Sequence, residues 1–410
     1  MNLRGSIIPE GSKSILNRVL IISSFLDRQI RIVNTSACDD VQDMLLNLHK
    51  IGLHSRTSKN QLILSPDAPV SEKGYFFVKD SATAFRFLLA RLSIIPGYYS
   101  RIKAGSQLWQ RPHGQIVEAL QKLGVFVEKK SGEFTVTGSF LNGGRVTVPS
   151  DVSSQFISAL LLIAPHFREG LELVLTGIAV SRPYLDMTLK IMADFGITGQ
   201  QREDIIAVNP GQVYQWQPDY VVEPDVSSAC YFWALGALNR GEIAVGGISP
   251  GSIQPDIQFL SVLRSMGADV NISADKIVVR NAVLKGVQVD MRNMPDQVPT
   301  LAVLSLFASS PTVIRGIQHL RYKESDRIAG LLEQLGRLGV KISYQEGEMC
   351  IEPLSKAPNS RQLDPGGDHR LAMSFALLTR VFPMVSIKDP VVVNKSYPRF
   401  WRDLASLQNT

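Results

Sequence analysis

Five glycines, Gly52, Gly124, Gly196, Gly267 and Gly339, stand 72, 72, 71 and 72 residues apart, and each closes a stretch of helical apolar spacing. Val41, Met44, Leu45, Leu48 and Ile51 lead to the first. Ile116, Ala119, Leu120 and Leu123 lead to the second, and Ile328, Leu331, Leu332, Leu335 and Leu338 to the fifth. Ile191-Met192-Ala193-Asp194-Phe195 precedes Gly196, and Val262-Leu263-Arg264-Ser265-Met266 precedes Gly267. Apolar residues three and four apart share one helix face. A glycine after the last turn adopts the left-handed conformation that ends a helix. One such helix is commonplace; five in near-constant register mark an internal repeat of about 72 residues.

A second helix type recurs with the same period. Its openings are Ser12-Lys13-Ser14, Asp80-Ser81-Ala82-Thr83, Asp151-Val152-Ser153-Ser154, Asp225-Val226-Ser227-Ser228, Pro295-Asp296 and Gly367-Asp368-His369-Arg370. Asp and Ser suit N-caps, because their oxygens accept from the unpaired N–H groups of the first turn. The continuations, such as Phe156-Ile157-Ser158-Ala159-Leu160-Leu161-Leu162, are apolar nearly all round, which predicts buried helices. Short β-branched runs lie between: Ile30–Val33, Phe134–Thr137, Arg145–Val148, Lys276–Val279 and Val340–Ile342. Each repeat therefore reads as strand and helix, strand and helix, then hairpin strands. Six repeats split three and three, with a linker expected between Gln217 and Pro224. The expected domains are 11–220 and a discontinuous second one, 1–10 plus 221–410.

Two domains also suit 410 residues, more than one core usually serves. Cys38, Cys230 and Cys350 are scattered, so neither a zinc site nor a disulfide framework is expected. No apolar run reaches the length of a membrane span, and no signal peptide is expected. The expected setting is cytoplasmic. The net charge of +6 suits an anionic ligand but decides nothing alone.

The helix starts carry the chemistry. A buried helix with an open N-terminus directs N–H groups and a dipole at an anion. Cations stand at or near these starts: Lys13, Arg18, Arg111 before Pro112 (expected in a first helical turn), Lys323, Arg327, Arg370 and Lys395. Any one alone reads as a solvated surface charge; recurrence at equivalent points of a repeat argues for a cleft that binds small phosphate esters.

Gly11-Ser12-Lys13-Ser14-x-x-Asn17-Arg18, Ser153-Ser154-Gln155-Phe156, Arg321-x-Lys323-Glu324-Ser325-Asp326-Arg327 and Asp368-His369-Arg370-x-Ala372-Met373 together resemble the EPSP synthase family, the 3-phosphoshikimate 1-carboxyvinyltransferases, over essentially the whole chain. The resemblance implies an α/β (α+β) fold: a two-domain inverse α/β barrel of six βαβαββ repeats, with the active site in the cleft between domains. It implies transfer of the enolpyruvyl group of phosphoenolpyruvate to the 5-hydroxyl of 3-phosphoshikimate, in aromatic amino-acid biosynthesis. It implies no cofactor or metal, and a monomer with neither nucleic-acid nor membrane partner. Asp296 matches the general base and Glu324 the acid; the bland readings are an N-cap and a salt bridge. Lys13 matches a residue touching both substrates, and Gln155 one near both. Ser14, Arg18, Ser153, Ser154, Ser181 and Lys323 match the shikimate-phosphate side. Arg111, Arg327, Arg370 and Lys395 match the phosphoenolpyruvate side. Tyr184 matches a pocket-lining position, and His369 an assistant in proton movement or a simple helix-start residue.

Two positions depart from the family's familiar pattern. Asp80-Ser81-Ala82-Thr83 replaces Asn-Ala-Gly-Thr, so Ala82 adds a methyl group and Asp80 a negative charge near an anion pocket. The charge is tolerable if Asp80 caps its helix or pairs with Lys79. His319 stands where asparagine is common. The rival readings are a UDP-N-acetylglucosamine 1-carboxyvinyltransferase, against which Lys13-Ser14 and the lack of a loop cysteine near Arg111 argue, and an RNA-end-processing protein on the same repeat, against which the dispersed cations argue.

Overall fold

The computed structural model describes residues 3–67, 73–281, 283–359 and 361–409. The all-apolar helices are the buried ones. Val226 to Ala237 are all buried in the helix Val226–Leu238, as is every residue of Val298–Ser305. In Ser154–Ile163 only Gln155 reaches the surface. Ala82–Ser93 packs on Ser154–Ile163, and Val298–Ser305 on His369–Val381.

The five glycines close their helices as the repeat requires. Their φ angles are 89°, 92°, 81°, 100° and 86°. After four of them the next residue donates back across the last turn: Val125 N to Leu120 O (3.0 Å), Ile197 N to Met192 O (3.0 Å), Ala268 N to Leu263 O (2.9 Å) and Val340 N to Leu335 O (3.3 Å). That bond occupies Val340, so the strand expected from Val340 begins at Ile342.

The strands follow one scheme. Lys73–Val78 runs parallel to Tyr99–Ala104, which pairs antiparallel with Glu133–Thr137, and Phe126–Lys130 completes the hairpin. Gly144–Pro149, Leu171–Thr176, Ile205–Val208 and Gly199–Arg202 repeat the order. So do Gln288–Asp290, Thr312–Arg315, Glu348–Ile351 and Ile342–Gln345. The first and fourth repeats exchange their leading strands. Leu3–Ile7 pairs in parallel with Glu242–Gly246 and antiparallel with Gln408–Asn409. Asp219–Val221 instead lies parallel to Ile30–Val33.

The chain forms two compact units. One is Gly11–Val222; the other joins residues up to Glu10 to the segment from Glu223 onward. Among the described residues no helix is long and apolar enough to cross a membrane.

The helix starts differ in detail. Ser81, Ser153, Asp225 and Asp368 accept from Ala84 N (3.2 Å), Gln155 N (3.3 Å), Ser228 N (2.7 Å) and Arg370 N (2.8 Å). The twin Asp-Val-Ser-Ser tetrapeptides are therefore used differently: the third residue caps in the first, the leading Asp in the second. Ser12 makes no side-chain cap. Asp296 is no N-cap either; Pro295–Gln297 is a 3-10 turn that precedes the helix Val298–Ser305. Pro112 does not begin a helix. Arg111 ends the short helix Ser106–Gln110, and the next helix starts at Gly114.

A side chain at Gly339 would meet nothing within 4 Å, but at φ 86° any L-residue is strained. Gly339→Ala is expected to destabilise its unit by about 1 kcal/mol. Gly336, in the same helix and equally unobstructed, is the contrast; Gly336→Ala should stabilise by about 0.5–1 kcal/mol. Urea midpoints of the two variants should move in opposite directions.

Candidate active site

In the unit Gly11–Val222 the site residues gather at helix starts. Lys13 Nζ lies 2.6 Å from Asp40 Oδ2, both largely buried. Ser14, one residue on, is half-buried, and its carbonyl accepts from Arg18 Nη1 at 2.7 Å. Arg18 is 2% exposed. Its Nε donates to Thr188 Oγ1 (2.8 Å), and its Nη2 to Ser158 Oγ (3.2 Å) and the Tyr184 carbonyl (3.3 Å). All these acceptors are neutral. Burial therefore lowers its pKa to about 10, which still leaves it charged at neutral pH. Tyr184 opens the helix Pro183–Asp194 beside Ser181, whose φ of 56° is left-handed for a buried non-glycine residue. Tyr184 N donates to Ser181 O at 3.0 Å, which holds that turn.

Arg86 organises the next helix start, and the sequence reading missed it. It is 1% exposed. Nη1 donates to Gln155 Oε1 (2.6 Å) and Ser153 Oγ (3.3 Å), Nη2 to the Pro112 carbonyl (2.8 Å), and the guanidinium lies 4.4 Å from the Phe156 ring centroid. One side chain thus ties Ser153 and Gln155 to the segment that carries Arg111, itself 9% exposed. The available signal was a lone charge in the apolar run Phe85-Arg86-Phe87-Leu88-Leu89. Ala82 begins the same helix, which Ser81 caps rather than Asp80.

In the other unit the site is built on Arg327, 1% exposed. Its Nε donates to Asp368 Oδ2, its Nη1 to Asp296 Oδ1 and its Nη2 to Glu324 Oε2, each at 2.8 Å. Arg370 Nη2 lies 2.9 Å from Asp296 Oδ2, and Arg370 Nη1 donates to Tyr231 Oη at 3.4 Å. Burial would raise the Asp296 pKa, but Arg370 and Arg327 outweigh it and hold that carboxyl below the usual range. Burial also opposes the charge on Arg327, and Asp368, Glu324 and Asp296 overcome it. The expected salt bridge of Glu324 is thus real. The expected N-cap role of Asp296 gives way to two guanidinium contacts, because a half-buried carboxylate is stabilised by counter-charge.

His369 begins the helix His369–Val381, 1% exposed, with Nδ1 3.9 Å from Asp368 Oδ1. Lys323 follows the 3-10 turn Gln318–Tyr322, and Lys395, 8% exposed, ends the turn Pro390–Lys395. His319 is buried with its Nε2 unpartnered among the described residues. Burial, then Lys323 and Arg327, push its pKa down to about 2. Among the described residues no group of His, Cys, Asp and Glu is arranged to hold a metal ion. The chemistry these groups offer is polyanion binding beside two carboxylates able to move protons.

The chain is similar to known proteins along nearly its whole length. The family model of EPSP synthase (3-phosphoshikimate 1-carboxyvinyltransferase) matches residues 1–404. The 3-phosphoshikimate 1-carboxyvinyltransferases of Shewanella sp. (strain W3-18-1) and Shewanella oneidensis are each 35% identical, covering 100% of this chain and 98% of theirs. The fold matches EPSP synthase from Acinetobacter baumannii with a TM-score of 0.81 at 21% identity, over 100% of this chain and 97% of that one. It also matches the enolpyruvyl transferase NikO from Streptomyces tendae, at 0.76 and 16%, over 99% and 96%. The fold is therefore the two-domain inverse barrel of these enzymes. Neither rival reading is favoured.

His113 resembles His319 in being buried; burial, then Arg86, push its pKa to about 2. Both rings are neutral in the fold but protonate in the unfolded chain below about pH 6.5. Each depressed imidazole therefore contributes stability that is present above that pH and lost as pH falls toward 2. Each should remove up to about 1.4 kcal/mol per pH unit between 6 and 4. Urea unfolding of wild type and His319→Gln across that range checks this: the variant should show the shallower pH dependence.

Proposed function

The chain belongs to the EPSP synthase family, the 3-phosphoshikimate 1-carboxyvinyltransferases, and from that premise we propose how its residues divide the reaction. The enzyme transfers the enolpyruvyl group of phosphoenolpyruvate to the 5-hydroxyl of 3-phosphoshikimate and releases phosphate, a step of the shikimate pathway. The observation that carries our reading is the double guanidinium clamp on Asp296 with Glu324 on the same arginine.

Asp296 takes the proton of the 5-hydroxyl. Glu324 protonates the methylene carbon of phosphoenolpyruvate, which makes C2 the electrophile. The resulting tetrahedral adduct then loses a methyl proton and phosphate to give the new enol ether. Arg111, Arg327, Arg370 and Lys395 hold the carboxylate and phosphate of phosphoenolpyruvate and stabilise the departing phosphate. Ser14, Arg18, Ser153, Ser154, Ser181 and Lys323 serve the phosphate of 3-phosphoshikimate, Arg18 also bracing the Tyr184 turn. Lys13 and Gln155 serve both substrates, Tyr184 lines the shikimate side, and His369 assists proton movement. The protein acts as a cytoplasmic monomer.

The clamp couples the base to the donor. With both guanidiniums on Asp296 the carboxylate is a poor base. When the anionic groups of phosphoenolpyruvate compete for those N–H groups, the pull on Asp296 weakens and its proton affinity rises. The base is thereby strengthened only when there is an acceptor carbon to attack.

Phosphate release from 3-phosphoshikimate plus phosphoenolpyruvate tests the assignment. Asp296→Ala and Glu324→Ala should each slow it by about 10²- to 10⁴-fold; no phosphate from wild type would sink the reading. The Ala82 methyl stands where glycine permits the closest approach of a ligand to backbone. Glyphosate, longer than phosphoenolpyruvate, should therefore inhibit weakly. Ala82→Gly should lower its inhibitory concentration by about tenfold or more, the effect of about 1–3 kcal/mol expected for one methyl in a tight pocket, while the KM for phosphoenolpyruvate changes little.

A further inference from the structure

Asp256 lies in the 3-10 turn Pro255–Gln258, 1% exposed, with no ion-pair partner among the described residues. A buried carboxylate with no ion pair is rare and calls for a reason. Its Oδ2 accepts from Ser227 Oγ and from Gln297 Nε2 (2.9 Å). Its Oδ1 is buried and has no hydrogen-bond partner among the described residues. Gln297 is the residue after Asp296 and sits at the N-cap of Val298–Ser305. Asp256 therefore grips the turn that carries the clamped carboxylate.

The twin tetrapeptides show how this contact is available. In Asp151-Val152-Ser153-Ser154 the Ser153 hydroxyl caps its own helix. In Asp225-Val226-Ser227-Ser228 the leading Asp225 caps, and the Ser227 hydroxyl reaches Asp256 instead. The polar and charged groups around Asp256 come from three elements. Asp225, Ser227 and Cys230 belong to the start of Val226–Leu238, with the Cys230 thiol donating to the Asp256 carbonyl at 3.6 Å. Asp296 and Gln297 come from the next turn, and Arg370 from His369–Val381.

We propose that Asp256 is a positioning residue for the enolpyruvyl transfer: through Gln297 it fixes the turn bearing Asp296, and its negative charge offsets part of the pull of Arg327 and Arg370, keeping Asp296 basic enough to take the hydroxyl proton. The inference rests on Asp296 being the base. Burial, then the charge of Asp296, raise the Asp256 pKa to about 6, against Ser227, Arg370 and Gln297. Coulomb coupling is mutual, so ionised Asp256 raises the proton affinity of Asp296 in turn. As pH falls through that value Asp256 gains a proton and its support for the base disappears.

The test is the pH profile of kcat from 5 to 8 for wild type, Asp256→Asn and Asp256→Ala, with both substrates saturating. Asparagine keeps an oxygen for Ser227 and Gln297 but no charge. Asp256→Asn should lower kcat at pH 7.5 by about 3- to 10-fold, as a loss of up to about one pH unit of basicity implies. Both KM values should be unchanged, and the variant should converge with wild type at pH 5. Asp256→Ala should fall below Asp256→Asn at every pH, because the Gln297 amide loses its acceptor. An Asp256→Asn profile that matches wild type throughout, or lies below it by one constant factor, overturns the charge role. Equal profiles for the two variants overturn the positioning role. Asp296→Asn with wild-type kcat would instead remove the base assignment itself, whatever the Asp256 variants do.

Discussion

A helix without a polar face has to be enclosed on every side, and both units are built around that constraint. Val226–Leu238, Val298–Ser305 and Ser154–Ile163 cannot rest on a surface, so other helices close round the last two, and strands as well as helices round the first. Enclosure leaves the helix ends as the places where such an element can meet polar chemistry. The starts accordingly collect hydroxyls, carboxylates and guanidiniums. Several candidate site residues, Ser153, Ser154, His369 and Arg370 among them, stand where such a helix stops being apolar.

The two units satisfy their buried cations differently. Arg18 and Arg86 donate to hydroxyl, amide and carbonyl oxygens, and for Arg18 burial lowers the pKa to about 10. Those positive charges are solvated but not neutralised. Arg327 and Arg370 face carboxylates, which raise rather than lower their pKa. The arginines of the first unit thus keep their charge without a carboxylate partner, although Lys13 there pairs with Asp40, whereas Arg327 and Arg370 are held by carboxylates. A polyanionic acceptor suits the first arrangement, and a reaction that must ready its base at the right moment suits the second.

The sequence showed most of this where a residue type has one physical reason to recur. Gly52, Gly124, Gly196, Gly267 and Gly339 were legible because a left-handed helix end strongly favours glycine. Arg327 with Glu324 was legible because the two are three residues apart. Arg86 was not, because its partners Ser153 and Gln155 lie 67 and 69 residues away. Asp256 was silent for the same reason, its contact with Gln297 spanning 41 residues. Asp296 misled as a helix cap because local spacing shows the helix start but not the guanidiniums that reach it. The strand at Val340 was placed two residues early because a backbone bond that closes the preceding helix leaves no mark in the sequence.

The exchanged leading strands bear on synthesis of the chain. Among the described residues Leu3–Ile7 pairs with Glu242–Gly246 and Gln408–Asn409. At about 5–20 residues per second, the roughly 235 residues that separate it from the nearer partner take about 10–50 s to translate. During that interval the strand is an open edge, and unpaired edges invite wrong partners. Its composition suits the delay. Between Leu3 and Ile7 stand Arg4, Gly5 and Ser6, a charge, a poor strand former and a hydroxyl, which together keep the segment soluble while it waits.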